Sequence, residues 1–257
     1  MAGPLTAVYG RFRFAYAILA LALGVAIGAL VVLLGRPNNP ERPWSAFRPQ
    51  GSGLAAASQI ADNVGSRYHL KSGKQLVGVL AQQPRIGDDV PISAIAVTTG
   101  QPDQPSEDID VFRTNDTLLY VLCGIGGDQC SIPEGSPSIA RGVLLHREAL
   151  ELALYTFKYI GDTKSVLAIL PPAPGQQPSI AAYFQRSDFS DALHRPLEDT
   201  LRPAERLTPE TFSKRDQREV RRLTLPNPII DRFSGVYQFQ FQQSADGTAL
   251  VALAPAT

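Results

Sequence analysis

The sequence predicts an α+β protein in which a single N-terminal transmembrane helix precedes a mainly antiparallel sheet domain with about three helices. Three observations carry that expectation. Residues 14–34 (FAYAILALALGVAIGALVVLL) form one apolar run without a charged residue. After it come several short runs rich in β-branched and aromatic residues, each bounded by turn residues, which is the patterning of strands and hairpins. Between those runs, longer stretches repeat apolar residues at helical spacing.

The apolar run comes first. At about 1.5 Å per residue, 14–34 reach about 30 Å, the thickness of a bilayer's hydrocarbon core. Secretory signals have a shorter apolar core, about 7–15 residues, and a small-residue cleavage pattern. Here the run exits through Val31-Val32-Leu33-Leu34-Gly35-Arg36-Pro37, with no such pattern. The expectation is an uncleaved signal-anchor in the plasma membrane, with the bilayer as partner through 14–34. Residues 1–13 would be a short cytoplasmic tail, and 35–52 a Pro-rich stalk. Residues 53–257 would be an α+β domain outside the cytoplasm. Arg11 and Arg13 before the helix nearly balance Arg36, Arg42 and Arg48 after it, so basic residues give orientation only weak support. Trp44 and Phe47 in the stalk suit either the membrane interface or docking onto the domain.

The domain reads in order as follows. A helix is predicted from Gly53 to Tyr68, where Leu54, Ala57, Ala61, Val64 and Tyr68 share one face. Strands are predicted at Gln75–Ala81 and Ile92–Thr99. A hairpin follows, Ile109–Arg113 with Leu118–Cys123, turned at Thr114–Thr117, where Asn and Asp tolerate left-handed backbone. The strongest helix starts at Ser136-Pro137, a serine cap followed by proline, and stops at Gly161. Its apolar residues fall on two faces, which marks it as central. Strands at Ser165–Leu170 and Ile180–Gln185 come next, then a helix opened by Thr208-Pro209-Glu210 and ending near Leu223. A last hairpin, Val236–Gln242 with Ala249–Leu253, turns at Asp246-Gly247.

Composition excludes several function classes. Basic and acidic residues number 24 each, so no global field favours nucleic acid. Three histidines and two cysteines leave little for metal chemistry. No cofactor-binding motif, metal site or catalytic constellation is found.

The remaining candidate residues are few. Cys123 and Cys130 enclose a glycine-rich loop and, outside the cytoplasm, form a disulfide most simply; buried thiols are the alternative, and redox or metal chemistry lacks the C-x-x-C or four-ligand pattern. Ala20, Gly24 and Gly28 recur every four residues in the apolar run. Such a small-residue stripe lets helix backbones approach, so pairing with a second copy or another membrane helix is expected of it, against the plain reading that glycine is common in membrane helices. Asp103, Glu107, Asp108 and Asp110 read as a solvated acidic loop rather than a calcium site. His69, His146 and His194 are scattered, and the basic stretch Lys214–Arg222 reads as a surface helix with i,i+4 pairs. Asn115-Asp116-Thr117 matches a glycosylation acceptor.

The functional expectation is a single-pass, membrane-anchored binding or scaffolding protein of the cell envelope whose partner is an unidentified envelope protein. An anchored hydrolase acting on an envelope polymer is the first alternative, and an accessory subunit of a membrane complex the second.

Overall fold

The computed structural model describes residues 5–34, 42–87, 90–98, 109–124, 135–172, 175–201, 208–211, 236–243 and 247–255. They fall into two compact units, Met1–Arg42 and Pro43–Thr257.

The first unit is helix α1 (Leu5–Leu34), whose side chains are described over residues 15–30. All of those are exposed, among them Tyr16, Leu19, Leu21 and Leu30. Among the described residues no helix is long and apolar enough to cross a membrane. This overturns the transmembrane helix expected over 14–34, and with it the single-pass and signal-anchor assignment. The described stretch 15–30 is a helix whose apolar side chains are all exposed, and apolarity alone, the basis of the expectation, does not make a span.

Among the described residues, the second unit is built on one mixed sheet of nine strands that curls into a nearly closed barrel with few helices. Its elements are α2 (Gly53–Gly65), β1 (Gly78–Gln82), β2 (Arg85–Ile86), β3 (Val90–Thr98), β4 (Ile109–Arg113), β5 (Thr117–Cys123) and α3 (Ile139–Tyr159). Next come β6 (Ser165–Ile169), β7 (Ile180–Gln185), α4 (Ser190–His194), α5 (Leu197–Thr200), β8 (Val236–Gln243) and β9 (Ala249–Pro255). The strand order is β1-β5-β6-β7-β8-β9-β3-β2, with β4 also on β3.

Two pairs, β5–β6 and β3–β9, are parallel, so the mainly antiparallel sheet expected from sequence is corrected to a mixed one. The expected hairpin of 109–113 with 118–123 does not form. Thr114 ties the chain to β3 instead, donating from its N to Ser93 O at 3.3 Å and from its hydroxyl to Ile92 O. β5 then leaves to pair with β1 and β6. Every residue of β5 but Val121 is buried, as suits an interior strand joined to its parallel neighbour β6 by a crossover through α3. The final hairpin, β8 with β9, is present.

Strand alternation sorts the side chains into two cores. Leu118, Tyr120, Leu122, Val166, Ala168, Ala182 and Phe184 face α2 and α3. Leu119, Leu167, Ala181, Tyr183, Phe239, Val251 and Leu253 face the other way, into the curl of the sheet. A register shift between Ile92 and Ala94 lets Ile92 and Ile95 share that inner face although they lie three apart.

Helix α3 starts two residues later than its sequence suggests. Ser138, not Ser136, is the cap, its Oγ accepting from Arg141 N at 3.1 Å. At the other end Arg186 Nε donates to Thr163 O at 2.8 Å and its guanidinium lies over Phe157. Of the helix expected over 209–223, only the 3₁₀ turn Pro209–Thr211 lies within the described residues.

Residues 43–50 lie on the domain as a strap. Trp44 is buried, packs edge-on against Tyr155 and Tyr159, and donates from Nε1 to Ala192 O at 3.1 Å. Its carbonyl accepts from Leu197 N at 2.7 Å. Of the two readings of Trp44, docking is the one observed. Trp44→Ala should lower unfolding free energy by about 3–5 kcal/mol, read by denaturant titration. At Gly124 an added Cβ would sit 2.6 Å from Pro171 Cβ, so Gly124→Ala should cost about 1–3 kcal/mol in the same assay.

Candidate functional site

The middle of α3 buries charge. Arg141, Arg147, Glu148 and Glu151 are all buried on a helix that also buries Leu144, Leu150, Ala153 and Leu154. Charged side chains are rarely buried without partners, so their surroundings decide what this region can do.

Glu151 is the centre. Its Oε2 accepts from Tyr68 OH at 2.6 Å, and its Oε1 lies 2.6 Å from Arg67 Nη2. Arg147 Nε in turn donates to Tyr68 OH at 3.1 Å. Arg67 and Tyr68 come from the turn that ends α2, where Ser66 N donates to Asp62 O at 3.1 Å and Tyr68 N to Gly65 O at 3.3 Å. That turn brings two side chains onto one carboxylate. Burial raises the Tyr68 phenol well above its ordinary range, and Glu151 beside it adds to the shift. Burial is the largest influence and opposes the Arg67 charge, but Glu151, Tyr155 and Tyr68 together outweigh it and raise the guanidinium pKa. The Arg67 guanidinium also stands 5.2 Å over the Tyr155 ring.

Arg67 and Glu151 meet as charges rather than through a well-directed hydrogen bond. Nε and Nη2 of Arg67 are buried with no hydrogen-bond acceptor, as is Asn63 Oδ1 with no donor. These residues line a cavity of about 250 Å³. Ser45, Ala46 and Phe47 of the strap close it on one side, and Leu197, Glu198 and Leu201 on another.

One turn before Glu151, Glu148 is fully buried and neither of its oxygens has a hydrogen-bond partner. Burial raises its carboxyl well above the usual range, the neighbouring Glu151 charge pushes it further, and Arg141 opposes both. α3 therefore carries a carboxyl raised by burial one turn from a paired one, and acid–base pairs use such contrasts of environment. Here, however, both oxygens of Glu151 are already engaged, and Glu148 has no exposed surface.

The residues singled out from sequence lie elsewhere. Cys123 is buried at the end of β5. It is disulfide-bonded, and Cys130, its expected partner, is not among the described residues. Ala20, Gly24 and Gly28 lie on the exposed part of α1, with open space around both glycines. His146 stacks on Phe184 and burial lowers its pKa, while His194 Nδ1 bonds Ser190 O at 2.7 Å. His69 is half-buried, bridged through its backbone to Gln75. The three are not brought together. Of the acidic group only Asp110 is described, and residues 214–222 are not. Asp116 of the Asn115–Thr117 turn pairs with Lys164 at 2.9 Å. Among the described residues no three potential ligands gather to hold a metal.

No family model, curated protein or solved structure matches this chain. The site is read on its own chemistry.

Sequence reasoning passed over Arg67, Tyr68, Glu148 and Glu151 as a group. One signal was present: a helix apolar on two faces leaves little water-facing surface, so the charges of Arg147-Glu148 and Glu151 had to be buried too.

A carboxyl neutral in the fold binds a proton that the unfolded chain has already released above its ordinary value of 4.5. The unfolded state then holds fewer protons, so stability falls as pH rises from that value. Glu148→Gln should remove this loss: it should melt above the parent at pH 8, with the gap closing near pH 4, as measured by thermal melts across that range.

Proposed function

We propose that the chain is a binding or scaffolding protein of the cell envelope, held at a membrane, with residues 43–257 as its working unit outside the cytoplasm. The observation that carries this is the state of Glu151. Its carboxyl is buried at the cavity, and Arg67 and Tyr68 occupy both its oxygens. A group so engaged shapes a pocket rather than attacking a bond. The cavity's size supports the same reading, since about 250 Å³ falls below the roughly 300–1,000 Å³ of sites that enclose larger ligands. Support for the membrane comes from α1. Its described side chains, exposed on every side over 15–30, include Ile18, Leu23, Val25 and Ile27, an apolar surface that lipid would take up.

A membrane-held hydrolase is the second reading, favoured by Glu148, which has the protonated state of a general acid. It requires substrate to reach a side chain that is now fully buried.

Treating intact cells with a membrane-impermeant protease, and washing membranes with alkaline carbonate, tests the proposal. The expected result is digestion of the C-terminal unit in intact cells and retention of the chain in washed membranes. Protection until lysis, or release into the soluble fraction, overturns it.

A further inference from the structure

We infer that the cavity between the strap, α2, α3 and α5 binds a small neutral ligand through a carboxamide group, whose N–H meets Asn63 Oδ1 and whose C=O meets Arg67 Nε. This deepens the binding role proposed above and rests on it.

Two unpaired polar atoms of opposite kind support it. Asn63 Oδ1 is a buried acceptor without a donor, and Arg67 Nε a buried donor without an acceptor, and both residues line the same cavity. Leaving such groups unpaired costs about 1–3 kcal/mol each, which a ligand carrying the complementary pair recovers. A secondary amide offers one N–H and one C=O on opposite edges of a planar unit and carries no charge.

Charge separates the amide from the alternatives. Glu151 already neutralises Arg67 at 2.6 Å, so an incoming anion meets no net positive charge. Glu198, exposed at the mouth, repels an anion further. Ser45 has no free donor, because its Oγ already donates to Phe47 O at 2.6 Å, and it also accepts from Phe47 N at 3.0 Å. Phe47, Tyr155 and Leu201 supply apolar walls. The volume equals about eight waters at roughly 30 Å³ each, enough for one acylated amine or one amino-acid unit. The amide could come from a peptide or from an N-acylated sugar, and both present the same two atoms.

The test titrates the purified full chain with N-acetylalanine methylamide and with N-acetylglucosamine, followed by ligand-detected NMR and calorimetry. Acetate and glucosamine serve as comparison ligands, one lacking the N–H and the other the acyl group. At least one amide probe should bind saturably, and about tenfold more tightly than either comparison ligand. Which amide binds identifies the source. Asn63→Leu should weaken that binding about tenfold with an unchanged melting temperature, because Oδ1 makes no protein bond to lose; Asn63→Ala serves if the leucine variant does not fold. No saturable amide binding, equal binding of acetate, or full binding by both Asn63 variants would overturn the inference. The protease and carbonate assays read independently of this one: a chain found at the membrane that binds no amide refutes the ligand alone, and an amide-binding chain in the soluble fraction refutes the location alone.

Discussion

Between Leu144 and Phe157, helix α3 is buried at every position except half-buried His146, and the surrounding structure answers to that constraint. A helix buried along its length must find partners for every charge it carries, or hold the group neutral. Both solutions occur one turn apart. Glu151 finds its partners in Arg67 and Tyr68, which reach it from the end of α2. Glu148 lacks such partners and keeps its proton instead. The turn after Gly65 is therefore fixed by an electrostatic need of a different helix. Arg147, one residue before Glu148, bonds the same phenol, so both helices converge on Tyr68.

Polar links also join α3 to the sheet. Tyr120 on β5 shares a hydrogen bond of 2.8 Å with Thr156, whose hydroxyl donates to Leu152 O at 2.8 Å. Thr117 and Ser165, paired at 2.7 Å, lock β5 to β6 where the parallel pair begins. Trp44 then covers the far side of α3 through Tyr155 and Tyr159. Cavity and strap thus share Tyr155, which forms part of the pocket wall and the seat of Trp44.

Local elements were legible in the sequence, and their partners were not. The central helix, the strands of 165–169 and 180–185 and the closing hairpin all follow from spacing and turn residues, which are local signals. The hairpin expected between β4 and β5 failed because Asn115-Asp116 marks a turn without saying which strands it joins. The run Leu118–Cys123, apolar at every position, was the contrary sign, since a hairpin strand with one wet face alternates. The apolar N-terminal run was read correctly as a helix, yet among the described residues no helix is long and apolar enough to cross a membrane. The candidate site was least legible. Asn63 and Arg67 stand far from Glu151 and Glu198 in sequence, and only the fold of α2 against α3 brings them to one cavity.

The parallel pairing of β3 with β9 joins residues 92–97 to residues 249–253. On the ribosome or during export, β3 therefore waits for almost the whole domain to emerge before gaining that neighbour. Until then Ile95 and Val97 lack Val251 and Leu253, and the inner core stays open. Folding of this unit is governed by its last strand, which favours a process completed after synthesis over one that proceeds segment by segment.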